Sequence, residues 1–261
     1  MGGVRDGENC VLNVAGWSEI STGLHEVPSD ARGKLRLAPM TGAVENIGWV
    51  DEESFYVNLI SSCASASIAV SIGDGTPDCK LLYGAQAVRT IGIKAAVFIK
   101  PYSNEKIIER FHWVEDVAEC AGVDVDSWCI ATMRGKASLE QKGEGELLAL
   151  KRYFSHKGLP FVIKGIFTQR DVKIAQAVMP DIAYISNHGG RVETDRGSTA
   201  HFLAKHAAAL KRCCGQLWVD GGVRSMADVR KALSWGADAV LAGRPFATAL
   251  CQDKAFDRIV V

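Results

Sequence analysis

Apolar residues along the chain fall into eight short runs, separated by longer stretches in which apolar positions recur at helical spacing. Short runs rich in Val, Ile and Ala are typical of buried strands, and the longer stretches are typical of helices that cover a sheet. This alternation predicts a parallel sheet. The predicted strands span residues 35–40, 66–71, 94–100, 122–127, 160–165, 182–187, 216–221 and 238–243.

Two of the predicted helices have ends that the residue types indicate. From Asn104, which is a suitable cap, apolar residues recur every three or four positions until Gly122, which predicts one continuous helix between them. A second helix is predicted after Ser225, because Asp228 stands where a capping box requires an acid. Gly236 is the expected C-terminal stop of that helix.

Eight strands joined by helices predict a (β/α)₈ TIM barrel rather than an open doubly wound sheet. We expect a single domain in which residues 31–261 form the barrel. Residues 1–30 show no strong period and are expected to form an N-terminal arm over the bottom or the rim. The fourth strand is expected to be short because "AECAGVDVDSW" leaves almost no apolar run before its aspartates, and only "PFATALCQDKAFDRIVV" follows the eighth strand.

The charge balance narrows the possible partners. With 30 basic and 30 acidic side chains, no excess charge attracts nucleic acid or an acidic membrane. Every apolar run is interrupted well before the roughly 20 residues that a membrane span needs. The N-terminal "MGGVRDGENCVLNVAG" lacks the pattern of a secretion signal, and the eight cysteines are scattered, with no C-x-x-C pair and no zinc-ligand spacing. We therefore expect a cytoplasmic protein with reduced thiols and no metal site.

The ends of the seventh and eighth strands carry the same combination of residues. "DGGVR" at 220–224 and "AGRP" at 242–245 each place glycine at a sharp turn and then an arginine just before a helix. Exposed backbone N–H groups, a helix N-terminus and a guanidinium together bind phosphate, and barrels of this kind favour these two loops for it. Alternatively, the glycines form simple turns and both arginines are solvated.

The fifth and sixth strands end in residues suited to acid–base chemistry. Lys164 interrupts an otherwise apolar run, and a buried ammonium needs a negative partner, either a cofactor that gains negative charge or a structural ion pair. His188 follows the sixth strand in "SNHGGR" and is suited to act as a base near neutral pH. Arg191 is suited to bind a carboxylate through two parallel hydrogen bonds. A lone histidine is more often structural, but the three residues together favour function.

The motifs "FVIKGI", "SNHGGR", "DGGVRS" and "GADAVLAGRP" occur in this order between residues 160 and 246. This pattern closely resembles the FMN-dependent α-hydroxy-acid dehydrogenase and oxidase family, which includes glycolate oxidase and lactate oxidase. Weaker similarity extends back through "SIGDGTP" and "APMTGA". The chain looks most like a compact bacterial branch of that family.

The resemblance implies FMN as cofactor and a small 2-hydroxy acid as substrate, which is oxidised to a 2-oxo acid. It implies that Lys164 stabilises the anionic reduced flavin, that His188 takes a proton from the substrate, and that Arg191 binds the substrate carboxylate. Asp126 would pair with the catalytic histidine. The residues that the resemblance implies for FMN binding are Pro39, Met40, Lys164, Ser186, His188, Gly189, Asp220, Gly221, Gly222, Arg224, Gly243 and Arg244, with Asp220, Gly222, Arg224, Gly243 and Arg244 at the phosphate.

Two positions depart from the family pattern. Where the oxidases carry a substrate-contacting tyrosine, "FIKPYSN" has Lys100, with Tyr102 two residues later. A second carboxylate-binding arginine is expected after the strand-four aspartate, and Arg134 is the nearest candidate. The predicted substrate-binding residues are therefore Lys100, Arg134 and Arg191.

Other functions remain open from the sequence. One is an FMN-dependent isomerase similar to type 2 isopentenyl diphosphate isomerase, although no acidic cluster clearly suits its diphosphate and metal. Another is a non-catalytic flavin- or phosphate-binding barrel. A barrel of the IMP dehydrogenase type would need a catalytic cysteine after the sixth strand, and "SNHGGRVETDRGSTA" has none. Relatives of this fold are often tetramers or octamers, so we expect a homo-oligomer.

Overall fold

The structure is a computed structural model that describes residues 7–130, 133–192 and 194–256. In these residues eight parallel strands form one sheet in the order β1-β8-β7-β6-β5-β4-β3-β2. A parallel bridge between Arg36 and Ala69 brings the two end strands together, so the sheet closes into a barrel. The strands are β1 (Leu35–Leu37), β2 (Val70–Gly73), β3 (Ala95–Ile99), β4 (Ala118–Asp124), β5 (Phe161–Ile166), β6 (Ile182–Ile185), β7 (Gln216–Val219) and β8 (Ala239–Ala242).

Helices follow the strands and cover the outside of the barrel, which confirms the predicted (β/α)₈ fold. None of the helices in the described part of the chain is long and apolar enough to cross a membrane. The helices are α1 (Glu8–Glu19), α2 (Ala43–Ile47), α3 (Glu52–Ser65), α4 (Cys79–Ile91), α5 (Asn104–His112), α6 (Glu144–His156), α7 (Gln169–Val178), α8 (Thr199–Lys211), α9 (Met226–Ser234) and α10 (Arg244–Cys251).

The predicted helix between Asn104 and Gly122 is wrong in its second half. Ser103, and not Asn104, caps α5, because its Oγ accepts a hydrogen bond from the backbone N–H of Lys106 at 3.3 Å. The helix ends at His112, and Ala118–Asp124 form β4 between β3 and β5. Small apolar residues in this segment fit a helical period, but the tertiary pairing makes them a strand. The fourth strand therefore has seven residues and is not short.

The start of the second strand is also later than predicted. Val70 is its first residue, because Ser67 adopts a left-handed conformation, with φ at 55°, and turns the chain just before it. At the other end of the barrel domain, Ser225 caps α9 together with Asp228, which confirms the predicted capping box.

Inside the barrel, aromatic rings fill the space below the strand ends. Tyr184 lies edge-on to Phe98, with ring centroids 5.5 Å apart, and packs against Trp218 on its other side. Its hydroxyl donates a hydrogen bond of 2.8 Å to Oδ2 of Asp220. Because the interior is filled, a ligand must bind above this layer, at the carboxyl ends of the strands.

The first helix, α1, lies at the rim and not at the bottom of the barrel. It packs against α8, α9 and the loop that follows β6. Nδ2 of Asn13 donates to Oδ1 of Asn187 at 2.7 Å, and the indole N–H of Trp17 donates to the carbonyl of Gly221 at 2.7 Å. Part of the predicted arm is thus attached to two strand-end loops, while the division at residue 30 stays a prediction.

Candidate active site

A cavity of about 330 Å³ opens at the carboxyl ends of the strands. This volume is within the range of small-molecule sites. Residues at the ends of all eight strands line the cavity, which is why side chains distant in sequence meet there. The predicted site residues that line it are Pro39, Met40, Lys100, Lys164, His188, Gly189, Arg191, Asp220, Gly221, Gly222, Arg224, Gly243 and Arg244.

Three predicted site residues do not line the cavity. Asp126 is buried behind the imidazole of His188. Ser186 is fully buried, and its Oγ accepts a hydrogen bond from the backbone N–H of His188. Arg134 is exposed, and the structure does not bring it to the cavity wall, although Met133 beside it is part of that wall.

The loop after β6 presents the imidazole through a run of left-handed residues. His188, Gly189 and Gly190 have φ values of 56°, 65° and 92°. A Cβ at Gly190 would overlap the backbone of Cys10 in α1, so only glycine permits this approach. A Cβ at Gly189 would meet no atom within 4 Å. The glycines therefore let α1 approach on one side and keep the space beside the imidazole clear on the other.

Asp126 orients the imidazole. Its two carboxylate oxygens lie 3.0 and 2.9 Å from Nδ1 of His188. Because a carboxylate only accepts, Nδ1 carries the ring proton and donates a hydrogen bond to Asp126. The Asp126 side chain is only 4% exposed and that of His188 is 15% exposed. This is the arrangement that prepares a histidine to accept a proton at Nε2.

Asp124 is a site residue that the sequence analysis missed. It lies at the end of β4 and bridges two ammonium groups, with Oδ2 at 2.8 Å from Nζ of Lys100 and Oδ1 at 2.9 Å from Nζ of Lys164. The strand β4 ends at Asp124, and Asp126 lies in the 3-10 turn that follows, so the period of a strand does not relate the two aspartates. Both nevertheless contact the histidine, Asp124 at 3.5 Å from Nε2 and Asp126 at 2.9 Å from Nδ1.

The charges in this cluster set one another's protonation. Burial alone would favour a neutral Asp124, but Lys100 and Lys164 hold the pKa of Asp124 well below its ordinary value. Burial alone would favour a neutral Lys164, but attraction to Asp124 and Asp126 raises the pKa of Lys164 above its ordinary value. Both groups are therefore charged at neutral pH.

Burial also lowers the pKa of His188. The attraction of Asp126 for the imidazolium is countered by the nearby ammonium groups of Lys100 and Lys164, so the pKa of His188 lies below its ordinary value. The imidazole is therefore neutral at physiological pH, which is the form that accepts a proton.

Asp124, Asp126 and His188 are also close enough together to hold a metal ion. Their oxygen and nitrogen atoms already contact two ammonium groups, with Lys100 Nζ at 2.9 Å from His188 Nε2. A cation would have to displace those ammonium groups, so the geometry favours the ion-pair network.

At the opposite end, the cavity has the features of an anion site. Gly243 and Arg244, at the start of α10, line the cavity, and Gly243 has no side chain to cap the N-terminus of that helix. Arg224 reaches the same cavity from the loop after β7. The N-terminus of α9, by contrast, is capped by its own residues. Asp228 in its first turn accepts hydrogen bonds from the backbone N–H groups of Arg224 and Ser225. The α10 N-terminus and two guanidinium groups match a phosphate.

The mouth of the cavity carries further charged groups. Nη2 of Arg191 donates to Oδ1 of Asn46 at 3.3 Å, and Lys80 pairs with Glu45 at 2.9 Å. Tyr102 does not line the cavity. It is buried against the guanidinium of Arg110, 5.2 Å from its ring centroid.

Comparison with known proteins identifies the family. The profile of a family described as FMN-dependent dehydrogenase matches residues 113–255, which is more than half of the chain. The chain belongs to the FMN-dependent dehydrogenase family. This confirms the family and the cofactor, FMN, that the sequence motifs predicted.

Curated relatives of this FMN-dependent dehydrogenase family member match over a limited stretch. 4-Hydroxymandelate oxidase of Amycolatopsis orientalis is 41% identical over 96 residues, which is 37% of this chain and 27% of that protein. L-lactate dehydrogenase of Serratia proteamaculans is 45% identical over 91 residues, 35% of this chain and 24% of the relative. The chain thus matches about a quarter of the length of these relatives.

Solved structures support the fold of this family member over nearly its whole length. The flavin-binding domain of baker's yeast flavocytochrome b2 superposes with a TM-score of 0.71 at 19% identity, covering 95% of this chain and 70% of that one. Lactate oxidase of Pediococcus acidilactici gives a TM-score of 0.69 at 20% identity, covering 98% and 78%. At this identity the likeness establishes the barrel fold alone.

Proposed function

We propose that the protein is an FMN-dependent oxidoreductase that oxidises a small 2-hydroxy acid to a 2-oxo acid. The observation that carries this proposal is the placement of His188. Its Nδ1 lies 2.9 Å from the carboxylate of Asp126, and it lines the same cavity as Lys164 and Arg191. The matched relatives whose names specify an oxidase or dehydrogenase of hydroxy acids support the same reaction class.

The residues around the cavity fit FMN. Arg224, Arg244 and the N-terminus of α10 suit its phosphate. Burial raises the pKa of Asp220, and its buried Oδ1 has no hydrogen-bond partner among the described residues. Because a carboxylate accepts hydrogen bonds from hydroxyls, we assign Asp220 to the ribityl chain and not, as predicted, to the phosphate. Lys164, buried and charged, would lie at the ring, where bound FMN supplies a two-electron acceptor.

Protein groups then carry out the proton chemistry. Arg191 would bind the substrate carboxylate and place the 2-hydroxyl near His188. Nε2 of His188 would accept the hydroxyl proton, and the resulting imidazolium would be stabilised by the carboxylate of Asp126. Lys100 lies beside the same nitrogen, whereas Arg134, being exposed, is left out of this mechanism.

An anaerobic absorption experiment tests the proposal. The purified protein, loaded with FMN, is mixed with lactate, glycolate and longer 2-hydroxy acids in the absence of oxygen. We expect at least one acid to bleach the flavin bands. His188→Asn should keep the colour and lose the bleaching, while His156→Asn, which changes an exposed histidine on α6, should bleach normally.

Two other outcomes would overturn the proposal. Flavin bands that no acid bleaches, with turnover of isopentenyl diphosphate, would indicate an isomerase instead. FMN binding with neither reaction would indicate a binding protein.

We also propose a cytoplasmic homo-oligomer, a tetramer or an octamer. The eight cysteines, all within the described residues, are free thiols, which supports a reducing compartment. The oligomeric state rests on the family resemblance, and light scattering of the purified protein measures it.

A further inference from the structure

Lys100 occupies an unusual place in the proposed active site. Its Nζ lies 2.9 Å from Nε2 of His188, the nitrogen that the proposed function uses as the base. The same Nζ lies 2.8 Å from Oδ2 of Asp124. Both Lys100 and Asp124 are buried, at 6% and 3% exposure, so this contact is held inside the protein and is not a surface pairing.

Hydrogen-bond chemistry assigns the direction of this contact. A charged lysine has three donors and no acceptor, so Nε2 of His188 must accept from it. The imidazole proton is then on Nδ1, where Asp126 accepts it. Lys100 and Asp126 therefore select the same tautomer from opposite sides of the ring.

We infer that Lys100 is a positioning residue that keeps His188 neutral, protonated on Nδ1, and that the hydroxyl of the substrate takes the place of Lys100 at Nε2. The second part of this inference rests on the proposed function. Asp124 anchors Lys100 through its Oδ2 atom, and Lys164 holds the other oxygen of the same carboxylate at 2.9 Å. Once the substrate has displaced Lys100 from the imidazole of His188, this anchor keeps the lysine next to the substrate oxygen.

The proton balance of this step is simple. The O–H bond of the substrate breaks as an Nε2–H bond forms, and the imidazolium pairs with Asp126. The ammonium of Lys100 keeps its three protons and faces the oxygen that has lost one, which stabilises negative charge there. The charged groups that face His188 are Lys100 and Lys164, which oppose its protonation, and Asp124 and Asp126, which favour it.

Magic-angle-spinning NMR of protein labelled with ¹⁵N-histidine shows which ring nitrogen of His188 is protonated before substrate binds. The measurement needs no turnover and does not depend on the size of the oligomer. The signal of His188 is assigned by its loss in His188→Asn. In the FMN-loaded wild type we expect an Nδ1–H imidazole at pH 7. Lys100→Met removes the opposing charge, so His188 should bind a proton at least about tenfold more tightly.

Matched variants separate charge from structure. Lys100→Arg retains a cation and should restore the wild-type titration. Lys80→Met removes another buried lysine of the same cavity, one paired with Glu45, and should leave the titration of His188 unchanged. If Lys100→Met does not fold, Lys100→Gln tests the same loss of charge.

An Nε2–H imidazole in the wild type, or an unchanged titration in Lys100→Met, would overturn the inference. The contact between Lys100 and the substrate is tested in the His188→Asn background, which lacks the base. The affinity for a 2-hydroxy acid is measured without oxygen in His188→Asn and in the double variant His188→Asn/Lys100→Met. Weaker binding by tenfold or more supports a substrate contact, and equal binding opposes it. Absence of flavin bleaching in the wild type would instead count against the proposed function and leave the resting contact intact.

Discussion

Replacing Asn13 by alanine should destabilise the protein far more than its position on a rim helix suggests. Asn13 is fully buried in α1. Its Oδ1 accepts from Nδ2 of Asn187 at 3.2 Å and from the backbone N–H of Thr199 at 3.0 Å, and its Nδ2 donates to Asn187 at 2.7 Å. Alanine removes all three contacts at once.

The magnitude follows from the groups left behind. Among the described residues, Nδ2 of Asn187 and the N–H of Thr199 have no other partner, so both become unsatisfied buried donors. Each costs about 1–3 kcal/mol, whereas Oδ1 of Asn187 keeps the N–H of Gly190 at 3.0 Å. We expect a total loss of about 3 kcal/mol in the free energy of unfolding. For a domain of this size that lowers Tm by about 6–12 °C.

Differential scanning calorimetry measures the change, with each variant loaded with FMN to the same extent. Asn58→Ala is the matched control, because Asn58 is exposed on α3 and, within the described part of the chain, donates only to the carbonyl of Ser54 in its own helix. Its stability should stay within about 0.5 kcal/mol of the wild type. A Tm for Asn13→Ala as close to the wild type as that of the control would refute the reasoning, since it would mean that α1 does not hold the His188 loop.

Three further predictions concern the cavity. Gly222→Ala should weaken FMN binding at least about tenfold in a fluorescence titration. The φ of Gly222 is 76°, and the new Cβ would overlap the carbonyl of Asn13. As a control, Gly92→Ala has the same φ but open space around it, so it should lower the stability and leave FMN binding unchanged. The acid limb of kcat/KM should have its midpoint below pH 6.5, because the lowered pKa of His188 keeps the base neutral as pH falls; a midpoint at or above 6.5 would contradict this. Lys164→Met should lower the free energy of unfolding by about 3 kcal/mol at neutral pH, because Asp124 loses one of its two ammonium partners. The difference from the wild type, measured by calorimetry, should shrink in acid as the carboxylate of Asp124 is protonated. A difference that does not change with pH would oppose this account.

The barrel could be predicted because its signal is local and repeated. Each strand is a short apolar run, and some of the helices carry their own period and cap, as at Ser225. The spacing of apolar residues was misleading at residues 113–121. A helical period continues there through Ala118 and Ala121, although both residues pair with neighbouring strands in β4. Sequence spacing does not distinguish a short apolar strand from a helix when small residues satisfy both patterns.

Some residues of the site could be predicted from the sequence, and others could not. Lys164, His188 and Arg191 were found because each interrupts or ends an apolar run with a reactive group. Asp124 was missed because its partners, Lys100 and Lys164, come from two other strands. Arg134 was named on sequence register alone, and the structure leaves it exposed.

The sequence by itself determined the barrel class, and its motifs, through their resemblance to a known family, implied FMN. It also predicted the phosphate-binding loops and the candidate base, because each of these depends on residue types within one strand–loop–helix unit. Only the tertiary structure decided that α1 holds the loop of His188, and that Lys100 lies on the nitrogen that must act as the base. Both depend on distances between segments more than 85 residues apart in the chain. Such distances arise when the barrel closes and brings all the strand ends to one rim.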